Sequence, residues 1–410
     1  MKSPASRAPS LAVRTTRIDH VSPLLDVVDR ARPLVFVRGG AGMAGVGEAL
    51  RLEFSGPDRM TEAADAWRAV AAAATVHDEV GVPGTGLVAF GSFAFDDESA
   101  ETSVLIVPSI VIGRRDGVAW ITRVDDAELP AGKPVGASVR LSLADGALDA
   151  DGYATAVARA VDAIGAGRVS KVVLARDLVG TLPPEADLRL VAATLLTAYP
   201  DCYAFAVDGL IGASPETLVK SERGEVSARV LAGSAARGVD AATDEQAALA
   251  LATSPKDLDE HAFALRSLLL SLGPHARDVV TGEQPFTLRL PNLWHLASDV
   301  RGRLTDGSSS LDLIASLHPT AAVAGTPTQE ALALIRELEP FDRGRYAGPV
   351  GWVGADGDGE WAIALRCAQV DRDGSVRAFA GAGVVAESVP EREVAETAMK
   401  FRPVVDAFSR

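Results

Sequence analysis

The sequence predicts an α+β fold with large antiparallel sheets, and three features carry that prediction. Strand-like runs follow one another through short turns, as in PVGWVGADGDGEWAIALRCAQVDRDGSVRAFAGAG, which reads as a three-strand meander turning at DGDG and DRDG. Helical segments are grouped between such runs instead of alternating with single strands, as a parallel sheet would need. Asp208-Gly209 joins YAFAV to LIGAS, the signal of a two-residue hairpin.

In chain order, PLVFVRGG and ALRLEFSG read as strands and TEAADAWRAVAAAATV as a helix, followed by strand-like segments from GLVAFGSFAF to VAWITRV. ASVRLSLADG is strand-like or a linker. YATAVARAVDAIGAG is an amphipathic helix closed by glycine, and SKVVLARDLVG and EVSARVLAGSA are strands. SPKDLDEHAFALRSLLLSLG is a helix with Ser254 as N-cap and Pro255 in its first turn. SLDLIASLH and TPTQEALALIRELEP are helices. The last helix opens on SVPE, with Ser388 as N-cap, Pro390 in the first turn and Glu391 completing a capping box.

The chain's 48% apolar and 23% charged residues are an ordinary globular balance. A net charge of −15 argues against a nucleic-acid partner, yet leaves room for a local basic pocket that takes an anionic substrate. Cys202 and Cys367 are the only cysteines, too few for a disulfide framework. Residues 1–20 are basic and rich in Ser, Arg and Thr without an apolar centre, so they read as a flexible extension and not a secretory signal. No polar tract divides residues 21–410, which read as a single catalytic domain. No run approaches the ~20 apolar residues of a membrane helix, so a cytoplasmic protein is expected.

Several residues carry candidate chemistry, each with a plainer reading beside it. Residues 40–45, GAGMAG, match G-x-G-x-x-G after a strand. A dinucleotide site would need a helix next, but LRLEF alternates like a strand, which favours a hairpin turn. Lys171 opens KVVLARD, either as a solvated strand end or as a desolvated base. Glu216, in GASPETL, either caps a turn or serves as a general acid. Glu260 is either an exposed helical charge or a ligand. Glu393, Glu396 and Lys400 share one helix face, either as a solvated i,i+4 ion pair or as part of a site. Glu260, Glu393 and Glu396 form an oxygen-only ligand set suited to Mg²⁺. Gly381 and Gly383 leave room for close approach to the backbone. No G-x-S-x-G elbow appears, and His261, His295 and His318 have no nucleophile beside them.

Taken together, KVVLARD, IGASPETLV, LAGSAARG, SPKDLDEHAF, LWHLAS, LHPTAAVAGTP, ELEPFDRGRYAGPVGW, GEWAIALRCAQ and GAGVVAESVPEREVAETAMK resemble, in order, the motifs of chorismate-utilising enzymes. The resemblance covers roughly residues 150–405. It implies one α/β/α-sandwich domain with two large, mostly antiparallel sheets and a Mg²⁺-dependent site. Anthranilate synthases carry glutamine at the position of Lys171, and aminodeoxychorismate synthases carry lysine at that of Ala232. Lys171 with HPTAAVAGTP and EPFDRGRYAGPVGW therefore resembles the isochorismate synthase branch, with salicylate synthase as the alternative. Tyr346 and Leu365 occur in both and do not decide between them. The sequence departs from the family at Val394, where a tryptophan is usual.

The implied reaction is a 1,5 displacement. Lys171, as a free amine, takes a proton from the water that attacks ring carbon 2 of chorismate. Glu216 protonates the hydroxyl leaving carbon 4. Glu260 and Glu396 hold Mg²⁺, with Glu393 assisting, and Arg366 and Tyr346 hold the enolpyruvyl carboxylate. Gly233, Ser234, His295, Ala322, Gly381, Gly383 and Lys400 complete the substrate pocket. Water as nucleophile makes a glutamine-amidotransferase subunit unnecessary, and a monomer or weak homo-oligomer is expected. The product could serve menaquinone or siderophore synthesis.

Overall fold

Alternation within single strands divides the chain between two cores. In the strand Leu34–Arg38, Leu34 and Phe36 face one apolar cluster while Val35 and Val37 face another. A strand buried on both sides is what a sheet sandwiched between layers requires. The computed structural model describes residues 9–19, 23–136 and 138–410.

Two sheets result, one of 13 strands and one of 10. In the first, Lys171–Thr181 lies second from one end of the strand order and runs antiparallel to Ser375–Val384, with Val173 opposite Gly383 and Ala175 opposite Gly381. In the second, Glu225–Ala236 pairs with Leu293–Leu304 toward one end of the strand order, where a bulge after Ala232 sets Ser234 opposite His295. Among the described residues pairing is antiparallel except between Ala12–Arg17 and Thr75–Asp78. The larger core lies between the sheets, around Phe90, Phe93, Trp120, Tyr153 and Trp361. The other lies under the helices Leu188–Ala198 and Pro390–Phe408. No helix among the described residues is long and apolar enough to cross a membrane.

Local signals held where they were self-contained. Asp208 and Gly209 take φ of 49° and 85° and close the hairpin of Tyr203–Val207 with Leu210–Ser214. Ser254 accepts from the Asp257 amide and opens the helix Pro255–Leu272.

Other expectations are corrected. Ala12–Arg17, placed in a flexible extension, is a strand with Val13 and Thr15 buried, and Thr15 shares a 2.7 Å hydroxyl contact with Thr122. Residues 1–8 and 20 lie outside the described residues. The stretch Gly40–Gly45 is not a turn. The turn is Gly39-Gly40, and Ala41–Val46 is itself a strand pairing with Leu34–Arg38. No helix N-terminus follows to receive a phosphate, so the dinucleotide reading fails. Among the described residues of ASVRLSLADG only Ala144–Asp145 form a strand, and before it Val139 and Arg140 hydrogen-bond to the Arg410 carbonyl. The expected three-strand meander is four strands divided between the sheets. Pro349–Gly354 and Gly359–Ile363 lie in the second sheet, Cys367–Val370 and Ser375–Val384 in the first. The final helix has Val389 at its N-cap with no side-chain bond, because Ser388 Oγ accepts from the Val385 amide.

Candidate functional site

The strand crossing between sheets builds the centre of the site. Between Ile363 and Cys367 the chain leaves one sheet for the other, and Arg366 makes the bend at φ 51°. Its guanidinium is buried and meets His295 Nε2 at 3.1 Å. Arginine can only donate, so His295 Nε2 accepts, and His295 Nδ1 carries the proton it gives to the Gly233 carbonyl, 3.1 Å away. Burial first, then the Arg366 charge, holds His295 well below the usual imidazole range and keeps it neutral. Ser234 Oγ lies 3.1 Å from the same nitrogen. Gly233 at φ +80° makes the bulge that turns its carbonyl to the histidine.

These residues line a pocket with about 550 Å³ of space free of protein atoms, its mouth included. Glu216, Glu260, Ala322, Tyr346, Gly381, Gly383 and Lys400 line it too. Burial raises Glu216 to about 7, only partly offset by a backbone bond at Leu231 and by the Arg366, Lys171 and Lys400 charges. Tyr346 stacks on Phe379 at 5.1 Å. Arg343, unremarked in the sequence, bonds both oxygens of Glu339 and the carbonyls of Val173 and Val323, while Glu339 accepts from the Ala175 amide. The EPFDR stretch thus clamps the Lys171 strand to the pocket wall.

Lys171 is fully buried and is no solvated strand end. Its Nζ lies 3.1 Å from Glu260 Oε1, without hydrogen-bond geometry. This contact runs over Gly383, where a Cβ would fall 2.2 Å from Glu260 Oε1 and 3.1 Å from Lys171 Cε. Gly383 therefore admits a glutamate and a lysine of the chain itself beside the pocket it lines.

Two more carboxylates are paired in the same manner. Lys400 Nζ lies 2.6 Å from Glu396 Oε1 and donates to the Gly381 carbonyl at 2.9 Å. Lys256 Nζ donates to Glu393 Oε1 at 3.0 Å. The i,i+4 pair of the last helix thus forms, with Lys400 buried at the pocket and Glu396 partly buried beside it, instead of on a fully solvated face. Burial and the adjacent Glu396 charge hold Glu393 above the ordinary carboxylate range. Burial opposes the Glu396 charge too, yet the Lys400 ammonium overrides it and holds Glu396 below that range. Burial likewise opposes the Lys256 charge, and Glu393, Glu260 and Glu396 together outweigh it.

The three carboxylates all act on the Lys256 charge and offer only oxygen donors, the donor type a hard dication takes. Mutual repulsion of Glu393 and Glu396 is a load that a cation relieves. Among the described residues, however, no three acidic, imidazole or thiol side chains are gathered around one metal position. Each carboxylate holds an ammonium instead. Lys256 and its role were not anticipated. The available signal was a lysine in the first turn of a helix, where the macrodipole disfavours a cation.

Compared with known proteins, residues 4–125 and 131–409 match the family model described as chorismate binding enzyme. Isochorismate synthase DhbC of Bacillus subtilis (strain 168) is 40% identical over 268 residues, covering 62% of this chain and 67% of that protein. The crystal structure of DhbC from Bacillus anthracis superposes with a TM-score of 0.78 at 31% identity, covering 94% of this chain and 98% of that one. MenF, the menaquinone-specific isochorismate synthase from Escherichia coli, superposes with a TM-score of 0.81 over 98% of this chain and 96% of that one, at 24% identity, which speaks to the fold.

Proposed function

The chain belongs to the chorismate-binding enzymes, and from that premise we propose that it interconverts chorismate and isochorismate as the isochorismate synthases it resembles do. The observation that carries this reading is the pairing of two proton-handling groups about one pocket. Lys171 lies behind the wall at Glu260 and Gly383, and Glu216, raised to about 7, lies in the wall itself. A base and an acid with separate environments are what an addition of water coupled to loss of hydroxyl needs.

In this reading Lys171 accepts a proton from water as its oxygen bonds to ring carbon 2. The ring double bonds shift, and the carbon 4–oxygen bond breaks as Glu216 gives its proton to the leaving hydroxyl. One water enters and one leaves, so the reaction is an isomerisation, with no ammonia-delivering subunit. Lys171 must part from Glu260 and give up a proton before it can act as the base. Arg366, oriented by neutral His295, presents its guanidinium to the enolpyruvyl carboxylate, and Tyr346 borders the same space. Lys400, tied to the Gly381 carbonyl, adds a positive charge for the ring carboxylate.

Glu260, Glu396 and Glu393 would hold Mg²⁺, which when bound supplies positive charge that fixes the ring carboxylate. The lysine partners of the three carboxylates are compatible with this, because each is a cation that a dication can displace.

Incubation of the protein with chorismate and Mg²⁺, followed by chromatography, tests the assignment. Isochorismate in a reversible, incomplete conversion with no further cofactor is the expected result. Salicylate plus pyruvate as the main products would move the chain to the salicylate synthases, and a requirement for ammonia with anthranilate as product would overturn both.

A further inference from the structure

Lys256 has no part in the displacement chemistry, yet it occupies an unusual place. It stands in the first turn of the helix Pro255–Leu272, where the exposed amide dipoles disfavour a cation. Its side chain is about a third exposed, whereas the Glu393 carboxylate it bonds is almost fully buried. The ammonium therefore lies between solvent and that carboxylate. Lys171 and Lys400, which pair with the other two carboxylates, have duties toward water and substrate in the proposed reaction. Lys256 is the one ammonium of the three whose contacts are confined to the acidic cluster.

We infer that Lys256 is a positioning residue that competes internally with the divalent metal, holding Glu393 in place and lowering Mg²⁺ affinity until the cation displaces it. This rests on the reading of Glu260, Glu393 and Glu396 as metal ligands. The physical basis is direct. An ammonium 3.0 Å from a buried carboxylate oxygen neutralises the charge that would attract the dication, and a dication arriving at Glu393 must either break this bond or accept a repelling neighbour. Without Lys256, Glu393 and Glu396 repel each other with less compensation, and that repulsion is released on metal binding.

Isothermal titration calorimetry with Mg²⁺ alone, on the full chain without chorismate, tests this independently of turnover. Lys256→Gln should bind Mg²⁺ tighter than wild type by about tenfold, the change expected from removing one opposed charge. Lys256→Arg, which keeps the charge, should stay within about threefold of wild type. Lys256→Met serves as the neutral variant if the glutamine chain fails to fold. Mg²⁺ affinity in the neutral variant equal to or weaker than wild type overturns the inference while leaving the metal ligands standing. Absence of Mg²⁺ binding by wild type and neutral variant alike overturns the ligand reading and this inference with it.

Discussion

Lys171 and Glu260 meet across a position that has no side chain: Nζ lies 3.1 Å from Oε1, and a Cβ on residue 383 would fall 2.2 Å from that same oxygen. The register makes this possible, because Gly383 sits opposite Val173, two residues along from Lys171 on the neighbouring strand. Nothing in the Gly383 backbone requires glycine, since its φ is not in the left-handed region. Alanine there should leave the strand pairing intact and push the Glu260 carboxylate aside. A displacement of about 1 Å in such a constellation costs about 10²-fold. Gly383→Ala is therefore expected to melt cooperatively near the wild-type temperature and to lose about that much turnover. Wild-type kinetics in a folded Gly383→Ala chain would show that the Lys171–Glu260 contact is not part of the working site.

Removing either carboxylate from the acidic cluster should silence the enzyme by a different route. Glu260→Ala and Glu396→Ala each delete one of few oxygen donors and free one buried ammonium, Lys171 or Lys400. Breaking a buried ion pair by losing one partner costs about 3–5 kcal/mol, so each variant should fold with a lower melting temperature. Glu260→Gln and Glu396→Gln keep the shape and separate stability from function. All four should lack activity at limiting Mg²⁺, measured as isochorismate formed. Near wild-type turnover in any one would remove that residue from the ligand set.

Lys171→Gln tests the base. The amide keeps much of the lysine's length but cannot take up a proton, so turnover should fall by about 10²–10⁴, the usual worth of one general base. KM for chorismate should change little, because in the proposed reaction Lys171 touches water and not a carboxylate. Added ammonia should give some amino product by attacking in place of water. Full isochorismate production by Lys171→Gln would end the proposed mechanism at its first step.

Much of this site was legible because its pieces are local patterns, and what was missed depends on long-range contacts. The Ser254 cap and the Asp208-Gly209 turn are complete within a few residues, so sequence and structure agree. The passage through Ala364–Arg366 could not be read, because the apolar run shows no break where the chain changes sheets. Ser388 and Glu391 have the spacing of a capping box, but Ser388 is engaged by the Val385 amide, so the local rule loses to the preceding turn. The motif glutamates were recognisable as a set. Their lysine partners were less so, since Lys171 and Lys256 reach carboxylates 89 and 137 residues away in the chain; the second separation is that of an ordinary-looking first-turn lysine. The strand Ala12–Arg17 reads as an extension because its arginines and threonines mask a period-two pattern in which Val13 and Thr15 are the buried positions.

Glu216 supplies the sharpest pH prediction. Burial raises its carboxyl to about 7 from the ordinary 4.5. The donor in the proposed reaction is the protonated form, so turnover should fall as pH rises through about 7. Stability should fall over an overlapping window, and the sign follows from proton counting. Between about 4.5 and 7 the folded chain keeps a proton on Glu216 that the unfolded chain has lost, so raising pH favours unfolding. The gap is worth about 3 kcal/mol once pH exceeds both values. Glu216→Gln cannot ionise and avoids that loss. Near pH 4.5 it should be close to wild type in stability, and at pH 8 it should be more stable by up to about 3 kcal/mol while having almost no activity. Denaturant unfolding of both chains at the two pH values measures the difference. An equal gap at both pH values, or a wild-type activity profile flat through pH 7, would mean that Glu216 is ionised in the folded chain and is not the acid.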